Sequence, residues 1–548
     1  MMENTHLENE NAAFDTLIVG GGLAGLTLAL QLAQAEPSLK VGVVERRAGP
    51  APEATFKVGE STVELAAYYL NDVLGLQDHL RQDQLRKMGL RYFFSGPNGN
   101  SDITQRFEAG PERFAPFDTY QLDRGRLENE LMRRVREQGV EVIRGAVQSI
   151  KIGQNLANHS ILVAGDDHQT REYSTHWLID ASGRTALLKR TLGLDIPNKH
   201  VIHAVWFRLG ARLEIDNWSQ DSEWCGRVDT KTRWLSTNHL VGKGYWIWII
   251  PLSSGMTSIG IVADPRYHPI DTYNTLARAK AWLAAQEPQL FAELEELAAP
   301  VHDFHVMNHC ARESKRLFSS SRWAMTGESG AFLDPLYSPG SDFIAMSNTF
   351  LVDLIIREAK GENILTRTEY FNSYMQSIFK TSLSIYRDQY VALGNSRVMS
   401  KKLIWDTLVY WGTFAMIFIQ NELCDLDLLK NMRPIIARIQ ILNGELQTLF
   451  LETVQRDEES ESPSRAESGF LDIGRVRRKY YDIYQAMIDR HTPEEVMECL
   501  KANLRTLEVT FEEIKAELIE DKPYPLAVLI EPQNAAAMNE SLSAVASA

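Results

Sequence analysis

Three glycines constrain how this chain can start. In Gly20-Gly21-Gly22-Leu23-Ala24-Gly25 they recur as G-x-G-x-x-G, after the apolar run Phe14 to Val19 and ahead of a Leu- and Ala-rich stretch reaching Ala35. A turn and a second apolar run ending at Glu45 complete a strand-helix-strand unit of about 32 residues, the size expected of βαβ. Each glycine has its own task. Gly20 permits the tight turn, Gly22 lets backbone approach a pyrophosphate at the helix N-terminus, and Gly25 lets helix and strand pack. Glu45, twenty residues past the last glycine, is placed to accept from a ribose hydroxyl. This predicts dinucleotide binding and leaves FAD and NAD equally open.

The rest of the chain divides by period. Trp177 to Asp180 reads as a strand ending in Ala181-Ser182-Gly183, and alternation dominates from about 200 to 265. There Tyr245 to Pro251 and Thr257 to Val262 read as paired strands around the turn Ser253-Ser254-Gly255. Trp323 to Gly327 is a third apolar segment, followed by a Gly/Pro/Ser-rich loop through Gly340 and a helical pattern from Phe343. After about 365 strand signals almost vanish. The predicted fold is α/β (α+β overall): a Rossmann-like nucleotide domain in two parts, 14–196 and 313–362, a β-sheet substrate lobe at 197–312 and a helical region at 363–530. The acidic, Ser-rich stretch Arg456 to Gly469 reads as a mobile surface loop, and 531–548 as an unfolded tail.

With 57 basic against 72 acidic side chains, the net charge of −15 gives no general attraction to phosphate backbones or anionic lipid, so neither nucleic acid nor membrane is expected. Cys225, Cys310, Cys424 and Cys499 lie far apart without a C-x-x-C pair, arguing against disulfides or a cysteine metal site. Met1 to Asn11 lacks the basic and apolar regions of a signal peptide, and a cytoplasmic location is expected. The apolar stretch Leu403 to Ile419 is interrupted by Asp406 and is too short to span a bilayer, which takes about 20 residues; it reads as a buried helix.

Leu122-Asp123-Arg124-Gly125-Arg126-Leu127 and Asp180-Ala181-Ser182-Gly183-Arg184 resemble the second and third FAD-contacting segments of flavoprotein monooxygenases. That resemblance implies FAD as cofactor, with Arg124, Asp180 and Gly183 beside it. Trp246-Ile247-Trp248-Ile249-Ile250-Pro251 and Phe332-Leu333-Asp334-Pro335-Leu336-Tyr337-Ser338-Pro339-Gly340 match the W-x-W-x-I-P and F-x-x-P-x-x-S-x-G motifs of flavin-dependent halogenases. The resemblance to that family covers roughly 14–520 and implies halogenation of an aromatic ring by FADH2, O2 and halide, through a flavin hydroperoxide and hypohalous acid. Its lysine matches Lys87 in Lys87-Met88-Gly89-Leu90-Arg91-Tyr92, downstream of Val58-Gly59-Glu60-Ser61-Thr62; Lys57 is the rival. The resemblance implies Lys87 and Ser338 as catalytic positions and Gly340 beside the flavin. Pro335, Tyr337, Pro339, Trp246 and Trp248 fall in the halide and substrate vicinity, the two tryptophans on one face of their strand. Only one dinucleotide fingerprint is visible, so a separate flavin reductase is implied.

Two positions depart from the pattern. Tryptophan-type members carry glutamate where this chain has Tyr337, pointing instead to a phenol- or pyrrole-type substrate, free or tethered to a carrier protein. Pro339 has no N–H for the halide, a loss of about 1.5–3 kcal/mol unless Gly340, Ser341 or a side chain compensates. Two alternatives therefore stand beside a halogenase: a halogenase-like monooxygenase or oxidase, and a catalytically silent FAD- or partner-binding protein. His302, His305 and His309 share a helical face, but the segment reads equally well as a strand that separates His302 from His305, and no metal is expected. The basic run Arg475 to Tyr481 reads as a solvated helix face or a contact to the acidic loop.

Overall fold

The computed structural model describes residues 13–96, 99–459 and 469–520, with the backbone of 530–532. The three apolar segments meet in one sheet. Ala13–Val19 lies between Val41–Glu45 and Thr170–Asp180, all parallel, and Trp323–Met325 pairs in parallel with the far side of Thr170–Asp180. Leu17 and Ile18 are fully buried, which is why the first strand reads as a continuous apolar run rather than an alternation. The order reverses between Ala13–Val19 and Thr170–Asp180. A crevice at the carboxyl ends of such strands is where this architecture takes its ligand.

A second, nine-stranded sheet runs Val301–Met307, His203–Leu209, Thr257–Ala263, Tyr245–Pro251, Thr237–Gly242, Leu90–Phe94, Phe107–Gly110, Gly469–Asp472 and Ile530–Pro532. It is not confined to 197–312. The outer edge of Thr237–Gly242 pairs in parallel with Leu90–Phe94, which recruits strands from both ends of the chain. Glu531 and Pro532, expected in the unfolded tail, form a strand against Gly469–Leu471. Trp246, Trp248 and Ile250 face the main core, whereas Tyr245, Ile247 and Ile249 face a second core with the helices Leu276–Gln286 and Pro288–Leu297. Trp248 lies opposite Gly260, where a Cβ would stand 2.2 Å from its ring.

The helical layer comprises Pro339–Ala359, Leu365–Ser384, Ser396–Tyr410, Leu426–Glu459, Ile473–Lys479, Tyr481–Ile488 and Pro493–Glu520. Pro339–Ala359 starts earlier than the expected Phe343, because Pro339 occupies its first turn, a position that needs no intrahelical N–H. Ser396–Ile419 is long and apolar enough to cross a membrane, but 78% of its apolar window is buried inside the protein. Of the expected acidic loop, Arg456 to Glu459 continue a helix, Gly469 opens a strand, and 460–468 lie outside the described residues, as do Met1 to Asn11 and the tail from 533.

Candidate active site

The fingerprint turn is built as its spacing requires. Gly20 has φ +115°, and a Cβ there would stand 2.4 Å from the carbonyl oxygen of Ala181; one on Gly25 would stand 1.9 Å from that of Gly20. At Gly22 the nearest atom to such a Cβ is Lys57 Nζ at 3.5 Å, so this glycine faces open space. No side chain caps the helix Leu23–Ala35 and no acid lies in its first turn, leaving its N–H groups for an anion. Glu45 accepts from the N–H groups of Gly21 and Arg47, both at 2.7 Å.

The other cradle residues mostly brace the crevice. Asp180 accepts from the N–H groups of Ser182 at 2.9 Å and Leu188 at 2.7 Å. It thereby shapes the turn at Gly183, whose φ is +62°. Arg124 donates to Glu128 at 2.8 Å and to the Val58 carbonyl at 2.5 Å, and its buried Nε lacks a partner. Lys57 pairs with Glu128 at 2.6 Å. An open glycine face, an uncapped helix start and two nearby cations, Arg124 and Lys57, suit the pyrophosphate of FAD.

Lys87 ends the short strand Leu85–Lys87, is 3% exposed and lines a cavity of about 200 Å³. Its ammonium donates to Ser61 Oγ at 2.9 Å and to the Thr62 carbonyl at 2.6 Å, so both stretches of its motif converge. Burial pulls Lys87 down to about 7, opposed by Glu64 and Asp342. Both acids also line the cavity, and both are pushed up by burial, Asp342 to about 8. Asp342 accepts from the Ala66 N–H at 3.0 Å, and Trp411 Nε1 donates to Glu64 at 3.0 Å. Lys57, the rival, sits at the cofactor cradle instead.

At a second polar pole of the cavity, Tyr337 donates to Asp406 at 3.0 Å. Asp406 also accepts from Lys402 at 2.9 Å and from Gln447 at 3.0 Å. Sequence reasoning met Asp406 only as an interruption in an apolar run, and it missed Lys402, Asp342 and Glu64. The signal was present: Lys402 and Asp406 are an i,i+4 charge pair in a stretch otherwise apolar, and a buried charge is retained only when paired.

Tyr337 and Pro339 line the cavity with Lys87, whereas Pro335, Ser338, Gly340, Trp246 and Trp248 do not. Both tryptophans are buried, on the face turned to the main core. Ser338 N-caps the helix from a left-handed conformation with φ +58°. Its N–H donates to the Pro335 carbonyl at 3.0 Å. With Pro339 lacking an N–H, the first backbone donors in this turn left for an anion are Gly340 and Ser341.

The basic run is not a uniform solvated face. Arg477 lines the cavity, while Arg478 reaches Asp472 at 3.3 Å and Lys479 reaches Glu513 at 3.1 Å; one short helix sends them to different sides. Val301–Met307 is a strand, placing His302 and His305 on opposite faces. Among the described residues no group of three His, Cys, Asp or Glu side chains is arranged to hold a metal ion.

A family model described as FAD binding domain matches residues 13–269. Flavin-dependent halogenase chlA of Dictyostelium discoideum is 27% identical over 441 residues, covering 75% of this chain and 72% of that protein. The 1H-pyrrole-2-carbonyl-(peptidyl-carrier protein) chlorinase of Pseudomonas fluorescens is 24% identical over 384 residues, 65% of this chain and 78% of its own length. Halogenase PltM in complex with phloroglucinol and FAD shares the fold, with a TM-score of 0.62 over 92% of this chain and 98% of that one at 15% identity.

Proposed function

Because the chain belongs to the flavin-dependent halogenases, FAD-dependent oxidoreductases, we propose that it halogenates an electron-rich aromatic ring of phenol or pyrrole type, with Lys87 delivering the halogen. The observation that carries this is the burial of Lys87 at the wall of a largely apolar cavity. Bound and reduced, FAD would supply the two electrons that bring O2 to the peroxide level able to oxidise halide. Gly20, Gly22, Gly25, Glu45, Arg124, Asp180 and Gly183 hold it. Gly340 and Ser341 offer backbone N–H groups to the halide. A separate flavin reductase keeps the cofactor supplied.

Lys87 suits the delivery step because burial brings its amine within reach near neutral pH. Once it has donated to Ser61 and Thr62, an ammonium has one N–H left for hypohalous acid. The largely apolar lining of the cavity favours the aromatic ring over water beside that acid. The pyrrole-type relative and the phloroglucinol-bound neighbour support an aromatic substrate, tethered or free. Purified protein given reduced FAD, O2, bromide and a panel of phenols and pyrroles should yield brominated product that requires both bromide and Lys87.

A second reading, direct oxygenation or oxidation by a halogenase-like enzyme, is favoured by one observation: Ser338 and Pro339 both fail to offer an N–H to halide. Oxygenated product formed without halide, and no halogenated product with it, would establish that reading instead.

A further inference from the structure

Tyr92 is 5% exposed, and its hydroxyl has no hydrogen-bond partner although it is buried. Such a group is costly in a native protein and calls for a ligand or water. Its ring is fixed, stacked on His239 at 4.5 Å between centroids with planes 13° apart. Burial drives His239 down to about 3, which keeps that neighbour neutral. Tyr92 lines the Lys87 cavity together with Tyr337, their rings edge-to-face at 6.3 Å, and the Asp406 carboxylate acts on both hydroxyls.

The two hydroxyls are complementary. Tyr337 has committed its proton to Asp406 and so presents lone pairs to the cavity. Lys402 and Gln447 also donate to Asp406, so its oxygens act as acceptors toward Tyr337. Tyr92 has an uncommitted O–H. We propose that Tyr92 and Tyr337 clamp one phenolic hydroxyl of the substrate, Tyr92 donating to it and Tyr337 accepting from it. This deepens, and rests on, the aromatic-halogenation reading, and it narrows the substrate class. A hydroxyl both accepts and donates, whereas a pyrrole N–H can only donate and an aryl ether can only accept.

The clamp also serves the chemistry. As the ring carbon bonds to the halogen, the halogen's bond to the oxygen of hypohalous acid breaks, and the departing hydroxide takes a proton from the Lys87 ammonium and leaves as water. Positive charge reaches the phenolic oxygen, whose O–H donates more strongly to Tyr337. Loss of the ring C–H proton to the Lys87 amine restores the aromatic ring, so no external oxidant is needed. A hydrogen bond that strengthens as charge develops favours the transition state over the bound substrate. The cavity of about 200 Å³ suits a single substituted ring, since about 150 Å³ already holds benzene.

The test is binding to the enzyme loaded with oxidised FAD, by calorimetry, with phenol, anisole and pyrrole as probes. Phenol should bind the wild type about tenfold more tightly than either other probe, and Tyr92→Phe or Tyr337→Phe should each remove most of that preference. Tyr92→Phe should also leave the ligand-free Tm unchanged or raised, because it deletes an unsatisfied hydroxyl, while shrinking the Tm gain that phenol gives. Phenol binding no tighter than anisole, or Tyr92→Phe binding phenol like wild type, would overturn the clamp. Bromination is assayed in parallel: a phenol preference without bromination supports the clamp and removes the halogenase reading. Bromination without the preference does the reverse.

Discussion

Trp246 donates its indole N–H to the hydroxyl of Tyr390 at 2.9 Å. That hydroxyl donates onward to Asp334 at 2.6 Å, and His200 Nε2 contacts the same carboxylate oxygen at 2.9 Å. The other oxygen of Asp334 accepts the Leu336 N–H at 3.0 Å. Trp246 belongs to the W-x-W-x-I-P strand and Asp334 to the loop ahead of the helix Pro339–Ala359, and Tyr390 from the helical layer joins them. An indole at 246 thus does more than fill a core: its one donor helps fix the loop that sets Tyr337 at the cavity wall.

Tyr390→Phe tests that connection. It leaves the Trp246 N–H and one Asp334 contact unmet in a dry interior, which costs about 1–3 kcal/mol. The expected result is a lower Tm and less halogenated product per reduced FAD consumed, with FAD affinity unchanged because the Tyr390 hydroxyl bonds Trp246 and Asp334 rather than the Gly20–Gly25 turn. Wild-type coupling of FAD consumption to product in the variant would remove the link.

Lys87→Met should abolish halogenation while flavin reoxidation by O2 continues. Stability gives an independent sign. The folded protein holds Lys87 near 7, below its unfolded value of about 10.4. The burial penalty is therefore complete below about pH 7, shrinks as pH rises, and is gone above about pH 10. Lys87→Met should raise Tm most at pH 6 and least at pH 9.5. A Tm lowered by about the same amount at pH 6 and pH 9.5 would instead mean that Lys87 is charged and well paired.

The nucleotide half of the molecule was legible because its signals are local. Spacing within Gly20 to Gly25 and the run to Glu45 specified the first strand, helix and second strand almost to the residue. Lys87 was legible through its motif context. The second polar pole was only partly marked: the Lys402 and Asp406 spacing signalled a buried pair, but Tyr337 and Gln447 join it only through packing of segments distant in sequence. The sheet lobe was under-read for a related reason: Leu90–Phe94 and Gly469–Asp472 are too short to show alternation, and their strand character comes from the edges they complete.

Two glycine substitutions should separate cofactor binding from folding. A side chain on Gly25 would drive into the Gly20 carbonyl at 1.9 Å, so Gly25→Val should compromise the fold itself, seen as lost soluble protein or a sharply lower Tm. Gly22 faces open space with its nearest neighbour at 3.5 Å. Gly22→Val should fold, with the apo Tm near wild type, yet bind FAD at least tenfold more weakly in a fluorescence titration. Equal FAD affinity would place the pyrophosphate elsewhere.

Pro339→Ala asks whether the halide is held at the start of the helix Pro339–Ala359. Ser338 has its N–H engaged by Pro335, so in the wild type an anion there meets Gly340 and Ser341 first. Alanine restores one N–H at the first helical position without adding bulk. A hydrogen bond to an anion contributes about 1.5–3 kcal/mol, so bromide Kd should fall by about tenfold or more, read as the bromide concentration giving half-maximal product. The change also frees the unfolded chain, and Tm should drop modestly, by the equivalent of about 0.4–1 kcal/mol. A lower Tm with tighter bromide therefore identifies the restored donor, because a general loosening of the turn would weaken both. If Tm falls and the bromide dependence stays the same, the halide lies away from this helix start, and the direct-oxygenation reading gains accordingly.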